Sequence, residues 1–306
     1  MKYDPSLMQR LQRPAGKVDV VLDTDAYNEI DDQFAIAYLL HSPEKVNLKA
    51  IYAAPFFNAR SSSPKDGMEQ SYNEIIKLLK LARYEDMAAV TFRGSSQFLP
   101  DEKTPVVSPA AQRMTDLAAT YTPDNPLYIV AIGAITNVAS ALLMNPSIKD
   151  KVVIVWLGGH AQHWPHNREF NLQQDVAAGR VVFGSGAAVV QLPCGGVVDK
   201  LRTSEPELHQ WLYGKNELCT YLCENTSKEA NSYAAGKPWT RTIWDIAPVA
   251  WLLDSEQKLV QDTLIPSPVF EYDHYIAMDH RRHPICYVWN INRDLIFEDM
   301  FCRLTK

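Results

Sequence analysis

Short, almost uninterrupted apolar runs recur along this chain, at Val18 to Leu22, Val46 to Ala53, Ala88 to Phe92, Leu127 to Ile132, Val152 to Leu157 and Ala187 to Leu192. Between most of them lie stretches with helical spacing: Ile30 to His41, Glu69 to Arg83, Pro109 to Tyr121, Thr136 to Met144 and Val176 to Phe183. A strand that is apolar throughout, rather than at alternate positions, is one covered on both faces. Such strands alternating with helices predict an α/β fold: a doubly wound, mainly parallel open sheet with helices on both faces, a Rossmann-like core. After Leu192 the pattern changes to helical stretches, Glu205 to Glu224 and Thr242 to Leu253, and then to a β-rich piece from Val269 to Val288. No Gly/Ser-rich or Pro-rich linker sets that part off. Residues 1–306 therefore read as a single α/β domain, with a more helical C-terminal third packed on the sheet.

Composition narrows the function classes. Of 306 residues 46% are hydrophobic and 22% charged, which excludes a disordered chain, and the net charge of −6 offers no basic stripe for a phosphate backbone. Nucleic acid is not an expected partner. The polar terminus from Met1 to Gly16, broken by Pro5 and Pro14, lacks the apolar segment of a secretory signal. The five cysteines, Cys194, Cys219, Cys223, Cys286 and Cys302, are scattered and odd in number, which suits free thiols in a reducing compartment. The cytoplasm is the expected location, with Cys219 and Cys223 as buried thiols. Leu127 to Met144 carries no charge over 18 residues, but it divides at Gly133 into a β-branched run and a helix containing Thr136, Asn137 and Ser140. It reads as a buried strand feeding a helix, so no membrane span is expected.

The most informative string is Val20-Val21-Leu22-Asp23-Thr24-Asp25-Ala26-Tyr27-Asn28-Glu29-Ile30-Asp31-Asp32. An apolar strand runs directly into five carboxylates, at the strand end where open parallel sheets bind ligands. Helix capping would account for one or two acids. Five within a few ångströms repel one another unless a cation neutralises them, and all-oxygen ligands favour Ca2+ or Mg2+ over zinc. The spacing is not that of an EF-hand: counting from Asp23, Tyr27 and Phe34 fall where oxygen ligands are required.

The string resembles the signature of the inosine/uridine-preferring nucleoside hydrolase family, an apolar strand followed by DTDxGxDDAxA. Here the matching residues are Asp23-Thr24-Asp25 and Asp31-Asp32-Gln33-Phe34-Ala35, with five residues, Ala26 to Ile30, where the usual pattern has three. Gly133-Ala134-Ile135-Thr136-Asn137 is similar to the family's GPLTN stretch. Gly158-Gly159, Glu169-Phe170-Asn171 and Asp175-Val176-Ala177-Ala178 are similar to its GG, EFN and DPEAA elements, and Trp244-Asp245 to its HD or WD pair. The resemblance implies a cation held by Asp25, Asp32, Asp245 and the carbonyl of Thr136, with Asp25 taking a proton from the attacking water. It implies ribose contacts from Asp31, Glu169 and Asn171, and by a looser match from Asn58. The family's sugar-binding Asn six residues before the Glu is His163 here, and Asn167 is a candidate substitute. Many members have a His as general acid where this chain has Trp244; members with Trp there stack it on purines, which tilts the expectation toward purine nucleosides. Homodimers or homotetramers are common in the family and are the implied assembly.

Some features stay open. His160, His163 and His166 are spaced three apart, but Pro165 breaks the helix that would align them for zinc; His163 or His166 is instead a candidate for the acid that Trp244 cannot supply. Tyr233 and Trp239 are candidates to close over the base. Two other functions compete with hydrolysis of ribonucleosides to base and ribose: a nucleoside- or sugar-binding protein that keeps the cation without turnover, and a Mg2+-dependent Asp-x-Asp phosphatase. The second requires a downstream lysine and a further acidic pair that the Gly158-Gly159-His160 strand end does not offer.

Overall fold

A computed structural model describes residues 4–306. Met1 to Tyr3, the start of the polar terminus, lie outside the described residues. Strands β1 (Val18–Thr24), β2 (Val46–Ala53), β3 (Thr91–Arg93), β4 (Leu127–Ala131), β5 (Val152–Leu157) and β6 (Ala188–Leu192) arise from the six apolar runs. Helices α1 (Pro5–Arg10), α2 (Asp31–Leu40), α3 (Pro64–Leu81), α4 (Pro109–Ala119), α5 (Thr136–Met144), α6 (Phe170–Gln174) and α7 (Val176–Gly184) fall around and between them. The later part holds β7 (Arg202–Thr203), α8 (Glu205–Trp211), α9 (Glu217–Ala234), β8 (Arg241–Thr242), α10 (Ile246–Leu253), β9 (Val260–Pro266), β10 (Val269–Phe270), β11 (Ile276–Ala277), β12 (Pro284–Ile291) and α11 (Arg293–Leu304).

The main sheet has eight strands in the order β3-β2-β1-β4-β5-β6-β12-β9, all parallel except β9, which runs antiparallel to β12. The chain progresses outward in one direction from β1 to β3 and in the other from β4 to β6. The point of reversal, between β1 and β4, is where an open α/β sheet leaves a crevice at its carboxyl edge. Alternate residues of β1 feed two cores. Val20 and Leu22 pack with Phe34, Tyr38, Trp251 and Phe297 on one face, while Val21 packs with Tyr52, Met114, Ile129 and Trp156 on the other. Both faces are dry, which is why the strands carry no alternation.

Several boundaries differ from the sequence reading. Ala88 to Val90 belong to a 3-10 turn and only Thr91–Arg93 pair, at the sheet edge where burial is partial. The stretch Glu205 to Glu224 breaks into α8 and α9 around Gly214, whose φ of +75° is closed to most side chains. Of Thr242 to Leu253 only Ile246–Leu253 is helical. Strand β9 has no counterpart among the apolar runs, because an edge strand with polar Gln261, Asp262 and Thr263 lacks a continuous one. Cys194, Cys219, Cys223 and Cys286 are buried free thiols and Cys302 is exposed. Among the described residues no helix is long and apolar enough to cross a membrane.

Candidate active site

The crevice at the β1/β4 reversal is a cavity of about 220 Å³ lined by Asp25, Asn28, Glu29, Asp31, Asp32 and Asp245, together with Ile132, Leu157, His160, Arg168, Glu169, Phe170, Asn171, Cys194 and Trp244. Its acids come from the end of β1, the first turn of α2 and the start of α10. Helix capping does not explain them. The N-cap position of α2 is Ile30, without a side-chain cap, and Asp245, at the N-cap of α10, makes no capping bond. Those carboxylates are free for another partner.

Asp31, Asp32 and Asp245 are buried and each offers an oxygen within 4.8 Å of the others. Asp32 accepts a hydrogen bond from the Thr24 hydroxyl, and Asp31 accepts one at 3.2 Å from the Trp244 N–H. Asp25 is 1% exposed and neither of its carboxylate oxygens has a hydrogen-bond partner. Gly133 makes room for it: a Cβ there would stand 2.7 Å from Asp25 Oδ1. Behind the cavity, Asp23 accepts from Asn137 Nδ2 at 2.8 Å.

Burial pushes all of these carboxyls up. Asp32 is raised to about 6, held back by its bond to Thr24, and Asp23 to about 7. Asp25 is raised further, by burial and then by the charge of Asp32; Asp245 by burial and by Asp31 and Asp32. Asp31 is lifted by burial and by Glu29, against the pull of Arg241. Acids this close either hold protons or share a cation, and Asp31, Asp32 and Asp245 are placed so that they could hold one. The two orphaned oxygens of Asp25 and the all-oxygen donor set fit a hard divalent ion.

The expected sugar-facing residues divide. Asp31, Glu169, Asn171 and Trp244 line the cavity. Glu169 also caps α6, accepting N–H groups from Gly159, Asn171 and Leu172 at 2.8, 2.9 and 3.0 Å. Asn171 Nδ2 donates to the Ile132 and Leu157 carbonyls, which leaves its Oδ1 for a ligand. Asn58, His163 and Asn167 do not line the cavity. Asn58 donates to Asn28 Oδ1 at 2.6 Å and so supports a lining residue. Asn167 is buried behind Gly159, where its Oδ1 accepts the His160 N–H. His163 is exposed and packs at Gly196. Thr136 is fully buried, its hydroxyl donating to Asp175 at 2.7 Å, so any contribution to a cation falls to its carbonyl. Tyr233, Trp239 and His166 are outside the lining too, whereas His160 is part of it.

The carboxylate group itself differs from the one implied by the resemblance. Asp31 stands with Asp32 and Asp245, and Asp25 faces the same cavity outside that close set. The sequence gives no site role to Asn28, Arg168 or Cys194, and Glu29 enters there only as one of the five carboxylates. Asn28 and Glu29 lie in the lengthened loop, a signal that was available; Arg168 and Cys194 carried none.

A family model described as inosine-uridine preferring nucleoside hydrolase matches residues 20–285. The chain belongs to this family. It is thereby an enzyme of the ribonucleoside hydrolase, N-glycosidase, kind. Non-specific ribonucleoside hydrolases RihC from Salmonella paratyphi B and Salmonella typhi are each 26% identical over 265 residues, covering 82% of this chain and 83% of theirs. Two solved structures share the fold. The plant nucleoside hydrolase PpNRh1 has a TM-score of 0.74 at 18% identity, covering 95% of this chain and 99% of its own. A purine-preferring ribonucleoside hydrolase from Gardnerella vaginalis has 0.73 at 20%, covering 94% and 98%. Family membership sets aside the phosphatase reading, and no lysine lines the cavity.

Proposed function

We propose that this hydrolase cleaves the N-glycosidic bond of ribonucleosides, purine nucleosides foremost, with Asp25 as the base that receives a proton from the attacking water. The observation that carries this reading is the pair of buried, unpartnered Asp25 oxygens facing a cavity shared with Asp31, Asp32 and Asp245. Asp25, Asp32, Asp245 and the Thr136 carbonyl, with Asp31 beside them, are the groups that would hold Ca2+ or Mg2+. When bound, the ion neutralises the carboxylates and makes water more acidic.

Each residue then has a task. Asp25 accepts the proton at a buried carboxylate oxygen that no other group of the protein engages. Asn171 Oδ1 and Asp31 accept ribose hydroxyls, which fixes the sugar while positive charge develops at C1′. The internal bonds of Glu169 and Asn171 hold that end rigid. Trp244 presents an aromatic wall on which a purine stacks, supporting base departure without a histidine at that position. Cys194, pushed well up by burial and by Glu169, stays a neutral thiol and takes no proton. Assembly into a homodimer or homotetramer rests on the resemblance, and sedimentation velocity reads it directly.

The decisive experiment incubates the protein with inosine, adenosine and uridine, with Ca2+ or EDTA, and measures reducing sugar. Release from inosine and adenosine that EDTA abolishes supports the reading. Nucleoside binding without turnover would replace it with the non-catalytic alternative.

A further inference from the structure

Six acids line the cavity, and one arginine, Arg168, lines it with them. Other arginines of the fold are tied to carboxylates, Arg241 to Glu29 and Arg293 to Glu207 among them. The Arg168 side chain is exposed and its guanidinium has no ion-pair or hydrogen-bond partner among the described residues; its backbone N–H donates to His166 Nδ1 at 3.2 Å. Its neighbour Glu169 does not pair with it, because both Glu169 oxygens already accept backbone N–H groups. A free guanidinium beside a ligand cavity is a donor fork awaiting two acceptor oxygens.

The segment carrying it is the His160-to-Arg168 loop between β5 and α6, whose three histidines have no zinc-like arrangement and no role so far. The loop is pinned. Gly159 adopts φ +73°, Asn167 is 1% exposed with its N–H donating to His274 O at 2.7 Å, and its Oδ1 accepts the His160 N–H. His160 lines the cavity with its Nδ1 accepting the Gly195 N–H at 3.0 Å, and its ring lies 5.8 Å from that of His166. Burial and His166 hold the His160 imidazole below its usual range, so near neutral pH it is uncharged and Arg168 supplies the positive charge. The loop leads directly into Glu169 and Asn171, the ribose-facing positions. Arg168 is thus the immediate chain neighbour of Glu169 and stands three residues before Asn171, both assigned to ribose. Neutral ribose hydroxyls leave a guanidinium underused; a phosphate ester offers the matching pair of anionic oxygens.

Resting on the hydrolase reading above, we propose that the substrate class extends to ribonucleoside 5′-monophosphates, with Arg168 binding the 5′-phosphate at the mouth of the cavity. Water adds to C1′ as the C1′–N bond breaks. One water proton passes to Asp25, the departing base takes up a proton from solvent, and the phosphate ester is untouched. The products are a free base and ribose 5-phosphate.

The test compares inosine 5′-monophosphate with inosine in the Ca2+-loaded protein and in Arg168→Gln and Arg168→Lys, and measures binding of ribose 5-phosphate and ribose by calorimetry. Hypoxanthine and ribose 5-phosphate are expected from the monophosphate. Arg168→Gln should lower its kcat/KM about 30-fold more than that of inosine, the size of a charge-assisted fork, with Lys restoring part. Ribose 5-phosphate should bind more tightly than ribose, and Arg168→Gln should erase the difference. Inosine turnover with a monophosphate that neither reacts nor competes overturns the proposal and leaves the hydrolase reading standing. Equal losses on both substrates overturn it by moving Arg168 to the nucleoside itself, and release of inorganic phosphate overturns it by changing the bond cut. If neither substrate reacts, the hydrolase reading fails and the calorimetry decides the phosphate site alone, for or against.

Discussion

Arg241 and Glu29 form an ion pair that ties the lengthened loop after β1 to the strand leading into Trp244 and Asp245. Arg241 also approaches Glu229 at 3.5 Å, and Glu229 meets Arg60 at 2.9 Å. The same guanidinium draws down Asp31, which Glu29 pushes up. Two residues more than the usual family pattern thus come with their own counter-charge.

Replacing Arg241 by Gln strips both Glu29 and Asp31 of that counter-charge. The metal-free protein should lose about 1–2 kcal/mol of stability, the lower part of the range for breaking a partly buried pair, since Glu29 is 41% exposed at its side chain. Ca2+ should then raise Tm by more than it does in the parent, because it meets a more negative cavity. Thermal melts with EDTA and with Ca2+ check this; an equal gain in both proteins would detach Arg241 from the site.

Asp25→Asn keeps the shape and removes the base. We expect kcat on inosine to fall by about 10²–10⁴, the usual contribution of a general base, with far-UV dichroism unchanged. Near-native turnover would exclude Asp25 as proton acceptor.

The acidic cluster also sets a pH dependence. A carboxyl whose folded pKa lies above its unfolded value binds more protons when folded, so its contribution to stability is greatest at low pH and is lost as pH rises through the folded value. Asp32 at about 6 and Asp23 at about 7, with Asp25, Asp31 and Asp245 also raised, make the metal-free protein less stable from about pH 4 to 7. His283, held down to about 4 by burial, and His160, also lowered, act oppositely, but the raised carboxyls, Glu169 and Asp175 among them, outnumber them. Urea midpoints in EDTA should fall between pH 5 and 7.5, and Ca2+ should stabilise more at pH 7.5 than at pH 5. A Ca2+ effect independent of pH would mean that the ion does not meet these carboxylates.

Trp244→Ala should cost more on inosine than on p-nitrophenyl riboside, whose leaving group needs no stacking. Losing a stacked aromatic wall is worth about 0.5–1.5 kcal/mol, or up to about tenfold in kcat/KM. Equal losses on both substrates would assign the tryptophan to packing.

Much of the architecture was legible because burial on both faces writes itself into local composition. Continuous runs such as Val152 to Leu157 can only be central strands, and the carboxylates after Leu22 stand at a strand end whatever the strand order. Edge strand β9 was hidden because its outer side is wet and its residues are polar. Asp25, Asp32 and Asp245 could be named from motifs, yet the close placing of Asp31 with Asp32 and Asp245 depends on how α2 and α10 meet.

The order and spacing of residues in the chain were enough to determine a parallel α/β sheet, an acidic strand end and the family to which they belong, since each is a property of neighbours in sequence. Tertiary structure alone decided that Arg241 answers Glu29, that His160 and Arg168 reach the cavity while His163 and Asn167 do not, and that Glu169 is held by three backbone donors. Those are distances between chain-remote groups, set by strand register and helix packing, on which local pattern carries no information.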